Sequence, residues 1–218
     1  MPNQANTLNW TTYFHGENKP FFQRLLSFYR KAFISRAVKY YTDKYFPGQG
    51  IFLEAGAGTS QSSSRIEKLG RKLIALDLNH YVLAQHNCLD YKVQGDILSL
   101  PVRSRSVHGL WNLGVMEHFT DVEIKVILKE FKRILKDDGV LLLFWPPFYA
   151  PFQIVLNSIA WLSHKFFNKK IEFFPSEINR YQNKQRLINF LQTADLKLVK
   201  TYFNILDLFS YVVVIVKK

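Results

Sequence analysis

The sequence predicts an α/β fold: a doubly wound, seven-stranded, mostly parallel sheet whose C-terminal strand runs antiparallel. Three observations point to it. From Ile51 onward, apolar runs alternate with amphipathic stretches, the pattern of a parallel sheet with crossover helices. The run Phe52-Leu-Glu-Ala-Gly-Ala-Gly-Thr-Ser60 ends an apolar segment in an acid and a two-glycine turn, a strand–loop–helix junction where a ligand can approach bare backbone. Gly139-Val-Leu-Leu-Leu-Phe-Trp145 is uniformly apolar, which suits a central strand covered on both faces.

The elements follow in order. Lys19 to Phe46 reads as one long amphipathic helix with at most one break, because Phe22, Leu26, Tyr29, Phe33, Ala37 and Tyr40 recur at helical spacing. Its charge is basic, from Arg24, Arg30, Lys31, Arg36, Lys39 and Lys44, and Pro47-Gly-Gln-Gly50 ends it. Residues 1–47 therefore form an N-terminal helical extension, and residues 48–218 the main domain. Strands are expected at Ile51–Ala55, Lys72–Leu78, Tyr91–Gln94, Val107–Leu113 and Val140–Trp145. Helices are expected at Thr59–Leu69, Asn79–Asn87 and Asp121–Lys136, the last with Thr120 or Asp121 as N-cap and Asp138-Gly139 at its exit. Residues 148–183 break the rhythm as an aromatic, partly helical insertion after the fifth strand. A helix at Lys184–Ala194 and an antiparallel pair, Leu196–Asn204 with Tyr211–Lys217, close the chain.

Composition narrows the class. At 218 residues and 48% hydrophobic, with nineteen Phe, eleven Tyr and four Trp, the chain can bury one sizeable core and is not disordered. A single cysteine, Cys88, excludes an intrachain disulfide and an ordinary thiolate zinc site, so no metal is expected. Met1 to Asn9 lacks a signal-peptide layout, and no apolar run is long enough to span a bilayer. A cytoplasmic protein is expected. The net charge of +12 leaves nucleic acid, anionic membrane and acidic substrate as partners to weigh.

The motif Glu54-x-Gly56-x-Gly58-x-Ser60 carries the chemistry. A dinucleotide fingerprint would need a third glycine at position 61, which is Gln. Here the chain resembles the class I S-adenosylmethionine-dependent methyltransferases, in particular their small-molecule type 11 branch. Further landmarks fall in the same order: Ala75-Leu-Asp77, Gln94-Gly-Asp96-Ile97, and Val107 to Phe119 with its Glu117-His118 turn. The resemblance covers Gly50 to Trp145, and it implies a Rossmann-like fold with S-adenosyl-L-methionine as cofactor. It further implies that Glu54 faces the methionine ammonium, Asp77 the ribose hydroxyls and Asp96 the adenine amine. The expected cofactor shell is Glu54, Gly56, Ala57, Gly58, Ser60, Asp77, Leu78, Asp96, Ile97, Asn112 and Leu113. His118 is the candidate catalytic residue, with packing of the turn as its plainer role. The chain departs from the pattern at His108, where the family often has an acid, and at Ser60, in the place of the third glycine. Trp145-Pro-Pro-Phe148 is not the amino-methyltransferase signature, because it follows the wrong strand and has Trp where Asn must accept hydrogen bonds.

The acceptor is the less legible half. Methyl transfer is an in-line displacement in which positioning dominates. His118, Glu117 and Asn112 sit near the expected methyl position, and none of them is diagnostic. In the family the segment after the fifth strand often covers the acceptor. Here it contains Phe148, Tyr149, Phe152, Trp161, Phe166, Phe167, Phe173 and Phe174, which suggests a small, apolar or lipid-like acceptor. With the basic N-terminal helix it also permits peripheral docking on anionic membrane; ordinary core packing is the plainer reading of both. RNA as acceptor is disfavoured, since no RNA-binding module or Arg/Gly-rich arm is present. A protein that binds the cofactor without catalysis, and a nicotinamide-dependent oxidoreductase, are the competing classes.

Overall fold

The computed structural model describes residues 27–85, 88–151, 154, 158 and 177–218. Seven strands form one sheet: β1 (Gly50–Ala55), β2 (Arg71–Asp77), β3 (Tyr91–Gln94), β4 (Val107–Leu113), β5 (Leu135–Trp145), β6 (Lys197–Tyr202) and β7 (Val212–Lys217). Their order is β3-β2-β1-β4-β5-β7-β6. The first five are parallel, and β7 runs antiparallel between β5 and β6. The order reverses between β1 and β4, and the crevice beyond their carboxyl ends is where such sheets bind ligands.

Each face of the sheet has its own apolar layer. Leu53, Ala55, Leu110, Leu141 and Leu143 pack under α3 (Asp121–Ile134) and α4 (Lys184–Thr193). Phe52, Trp111, Leu142 and Phe144 pack on the opposite side with Ile34, Val38 and Tyr41. Period-two alternation along β1 sends Leu53 and Ala55 one way, and Phe52 and Glu54 the other.

On that second side, the N-terminal helix is anchored as core. A π-helical segment, Arg30–Ile34, precedes α1 (Ser35–Tyr45). Ile34, Ala37, Val38 and Tyr41 are buried at helical spacing, while Lys31 and Arg36 stay in solvent. The Tyr29 hydroxyl donates to Asp207 O at 2.8 Å, and Asn204 Nδ2 donates to the Tyr41 hydroxyl at 2.6 Å. Both bonds tie the helix to the β6–β7 connection. Phe22, Leu26 and Arg24 lie outside the described residues, as do Phe152 and the stretch from Trp161 to Phe174.

Two elements differ from expectation. The helix expected at Thr59–Leu69 is only a 3₁₀ turn, Gln61–Ser63, entered through Ser60 in the left-handed region at φ 47°. Serine hydroxyls compete for local partners and favour turns over helix interiors; here Ser60 and Ser63 bond a buried acid instead of continuing a helix. β5 begins at Leu135, and its pairing with β4 shifts between Val107 and Gly109. The Asp138-Gly139 exit is thus absorbed into the strand as an irregularity. The short α2 (His80–Ala84) starts at Asn79, whose side chain accepts from the amides of Tyr81 and Val82. α3 carries a full capping box, Thr120 with Glu123.

Candidate functional site

The loop after β1 is held down by β2. Gly56 N and Ala57 N both donate to Leu76 O, at 2.8 and 2.9 Å, and Gly58 N donates to Asp77 Oδ2 at 2.8 Å. These three amides therefore do not point outward at a ligand, as a phosphate-type loop would have them do. Gly56 is required by φ +72° and by Val115, whose Cγ2 lies 2.5 Å from where a Cβ would sit. Gly58, at φ +53°, has nothing within 4 Å of that position, so the space above it is open.

Glu54 is 3% exposed. Ser60 Oγ donates to its Oε2 at 2.6 Å, and Ser63 Oγ to its Oε1 at 2.8 Å. Trp111, beside Glu54 on β4, donates from Nε1 to Ser63 Oγ at 3.1 Å. Burial pushes the Glu54 carboxyl up to about 7, although the serine hydroxyls favour its charged form. A cation brought close to it would pull that value back down.

Asp77 ends β2 and bonds in two directions: Oδ2 takes the Gly58 amide, and Oδ1 the Asn79 amide at 2.8 Å. One carboxylate thus positions the glycine loop and the entry to α2. Burial raises its pKa, and the backbone amides oppose that. Asp96, half-buried after β3, accepts from Leu98 N at 2.9 Å, beside the buried Ile97. Leu78 is exposed and Leu113 half-buried. Asn112, fully buried at the end of β4, donates from Nδ2 to Ala55 O at 2.8 Å.

All these residues stand at carboxyl ends of strands, around the crevice between β1 and β4. Among the described residues, three buried polar atoms there have no partner: Gln61 Oε1 after β1, Asn79 Nδ2 after β2 and Asn112 Oδ1 on β4. Such atoms are rare, and in a native fold each calls for an explanation. One donor and two acceptors, together with the carboxylates of Glu54, Asp77 and Asp96, suit a cationic amino-acid nucleoside.

His118 lies on a 3₁₀ turn, Met116–His118, 7% exposed, with Nε2 3.8 Å from Glu117 Oε1. Glu117 is the more unusual neighbour: 4% exposed, with Oε2 unpartnered and its pKa pushed by burial up to about 8. The segment returning from the insertion packs onto this turn. Ile178 N and Asn179 N donate to Glu117 O at 2.8 and 2.9 Å, and Trp145 Nε1 donates to Asn179 O at 2.7 Å. Trp145 is therefore a buried anchor. Phe148 and Tyr149, at 60% and 76% exposure, stand edge to face beyond it.

Sequence reasoning missed Ser63, Asn79, Glu177, Arg180 and Tyr211. The run Ser62-Ser63-Ser64 was the visible signal for the first, and Asn79 reads as an ordinary cap. Glu177, Arg180 and Tyr211 reach the β4 turn only through tertiary structure. Among the described residues no helix is long and apolar enough to cross a membrane.

Comparison with known proteins agrees with this geometry. Residues 53–143 match the model of a methyltransferase domain family. A search among curated proteins returns no match. Among solved structures, the chain is similar to a SAM-dependent methyltransferase from Methanosarcina mazei, with TM-score 0.58 and 15% identity over 82% of this chain and 96% of that one. It is similar to magnesium protoporphyrin IX methyltransferase from Synechocystis PCC 6803 with bound SAH, at TM-score 0.61 and 16% identity over 99% and 95%. It is also similar to 1,6-didemethyltoxoflavin-N1-methyltransferase from Burkholderia thailandensis, at TM-score 0.63 and 14% identity over 99% and 88%. At such identities the structural likeness speaks for the fold alone, and the molecules named for the last two, magnesium protoporphyrin IX and 1,6-didemethyltoxoflavin, differ.

Proposed function

We propose that this chain, whose residues 53–143 match the model of a methyltransferase domain family, transfers a methyl group from S-adenosylmethionine to a small, apolar or lipid-like acceptor. The observation that carries this reading is the set of strand-end groups around the β1–β4 crevice: the Glu54 carboxyl in its serine cage, the Asp77 tie to Gly58, and the unpartnered atoms of Gln61, Asn79 and Asn112. Glu54 would lie by the methionine ammonium, Asp77 and Asn79 by the ribose, and Asp96 with Ile97 by the adenine. The cofactor supplies an electrophilic methyl group. The chain's residues orient it and exclude water, and the acceptor approaches in line from the β4–β7 side. His118 is the weaker candidate for direct chemistry, since it packs against Glu117.

The apolar acceptor rests on the rim. Phe148, Tyr149 and Ile178 are exposed beside the β4 turn, at 60%, 76% and 60%, where an apolar body can lie against them. The same rim, with the basic residues of the N-terminal helix, supports contact with an anionic membrane surface from which such an acceptor could be drawn.

Calorimetry with S-adenosylmethionine, S-adenosylhomocysteine and NAD tests the donor: binding of the first two and not the third is expected, and the reverse would overturn the reading. Turnover with methyl-labelled donor on lipid, quinone and RNA fractions tests the acceptor. Label entering RNA alone would replace the apolar acceptor with a nucleic acid. Flotation with anionic vesicles at low salt tests docking, and failure to float removes the membrane contact.

A further inference from the structure

The end of β4 holds an acid that the cofactor loops do not use. Glu117 is 4% exposed, and its Oε2 meets no hydrogen-bond partner among the described residues. Its main chain is clamped by the amides of Ile178 and Asn179, so the carboxyl is held in place. A Cβ built on Gly114 would lie 3.4 Å from both Glu117 Oε1 and the Tyr211 hydroxyl. Glycine at 114, at φ +64°, thus keeps a side chain out of the methyl-sized space that the Glu117 carboxyl and the Tyr211 phenol both border, between the end of β4 and the residue that enters β7. A buried carboxyl oxygen without a partner is costly, and such a cost persists where a ligand supplies the missing donor.

The position says which ligand. Loops after β1, β2 and β3 carry Glu54, Asp77 and Asp96; the β4 turn and the start of β7 remain for the methyl acceptor. The charged and titratable groups facing Glu117 are His118 on its own turn, Glu177 and Arg180 on the returning segment, and Tyr211 just before β7. Arg180 Nε pairs with Glu177, so its charge is shared between two acids, and among the described residues the nearest cationic group to the Glu117 carboxyl is the His118 ring, 3.8 Å away. An ammonium group would bring both the missing donor and the missing charge, whereas a hydroxyl would bring only the donor.

We infer that Glu117 binds the amino group of the methyl acceptor, an amine carried on an apolar body, and takes the proton that the amine must lose before it can react. This rests on the methyltransferase reading. In the step, R–NH3⁺ gives one proton to the Glu117 carboxylate and becomes R–NH2. The nitrogen lone pair attacks the methyl carbon while the C–S electron pair goes to sulfur, giving R–NH2⁺–CH3 and the neutral thioether; the Glu117 proton then leaves to water. Burial of the Glu117 carboxyl suits it to hold a proton near neutral pH. Tyr211, whose hydroxyl borders the same space beside Gly114, positions the amine from the other side.

The test uses the full chain saturated with S-adenosylhomocysteine and two probes of equal shape, 2-phenylethylamine and 2-phenylethanol, followed by calorimetry at neutral pH. The amine is expected to bind about tenfold more tightly than the alcohol, the scale of a hydrogen bond to a charged group. Glu117→Gln should abolish that preference and leave S-adenosylhomocysteine affinity unchanged. Glu117→Asp, which keeps the charge, should retain the preference at lower affinity, so the comparison survives if the Gln variant folds poorly. Equal binding of the two probes, binding of neither, or a preference that persists in Glu117→Gln overturns the inference. Failure of the wild type to bind S-adenosylhomocysteine overturns the methyltransferase reading, and this inference with it.

Discussion

Ser63 Oγ lies 2.8 Å from Glu54 Oε1, a bond across nine residues that closes the loop after β1 over a buried acid. The serine is fixed from behind by Trp111 Nε1 at 3.1 Å. A helix in this stretch would point Ser63 elsewhere. The turn is what allows both Ser60 and Ser63 to serve one carboxyl.

Removing that hydroxyl should act through the charge state of Glu54. A hydrogen bond to an ionised group contributes roughly 1.5–3 kcal/mol. Without it, Ser63→Ala raises the Glu54 pKa further above about 7, so less carboxylate is present at neutral pH. Affinity for S-adenosylmethionine should fall about tenfold there and recover in part as pH rises. Calorimetry across a pH series checks this, and a loss independent of pH would assign Ser63 a purely structural role.

The buried acids also make stability depend on pH. Burial raises Glu54 to about 7, Glu117 to about 8 and Asp207 to about 6. The folded chain therefore holds protons that the unfolded chain releases near its ordinary carboxylate range. The stability these groups contribute is fully present below that range, about pH 4, and is lost as pH rises through their folded values. The melting temperature should decline from mildly acidic to mildly basic pH. Glu54 alone, moving from 4.5 to about 7, accounts for roughly 3 kcal/mol at most, and Glu54→Gln should flatten the decline. Saturating S-adenosylmethionine should flatten it too, by returning Glu54 to its charged form.

Much of this arrangement could be read from sequence. Strand positions and the acids at strand ends followed from local pattern, because a parallel strand is an apolar run and a glycine turn has few alternatives. Arg180 and Tyr211 could not be found that way, and the Ser62-Ser63-Ser64 run marks Ser63 without naming its partner. Ser63 meets Glu54 only because helix formation fails after Ser60, and tertiary partners decided that against spacing. Tyr211 meets Gly114 only because β7 inserts beside β5 from the far end of the chain. The sequence marks Gly56, Ala57 and Gly58 as backbone open to a ligand, and a loop alone does not show that Leu76 and Asp77 already engage their amides.

Asp77 does two jobs that substitution can separate. Asp77→Asn turns one of its acceptors into a donor, set against the amide of Gly58 or of Asn79, and leaves an unsatisfied group worth about 1–3 kcal/mol. Both a lower melting temperature and weaker S-adenosylmethionine binding should follow. Asp77→Glu keeps the charge but pushes the carboxylate past both amides, so it should fail to restore binding. Thermal melts and calorimetry on the two variants check this, and a variant that loses stability while keeping full affinity would show that Asp77 only braces the loop.

The two loop glycines should fail in opposite ways. At Gly56 a Cβ would meet Val115 Cγ2 at 2.5 Å with φ +72°, whereas at Gly58 it meets nothing within 4 Å at φ +53°. Both substitutions carry the left-handed cost of about 1–2 kcal/mol for a residue with a Cβ. Gly56→Ala adds a clash with a side chain braced in the β4 turn, so it should lose about 1–3 kcal/mol more, and Val115→Ala should recover only that extra part. Gly58→Ala should melt close to the φ cost alone yet lose most S-adenosylmethionine affinity, because its methyl group enters the open space that the bound methionine would need. Melting curves and binding isotherms of both variants, measured side by side, decide the matter. Normal affinity in Gly58→Ala would mean that the cofactor does not cross that loop.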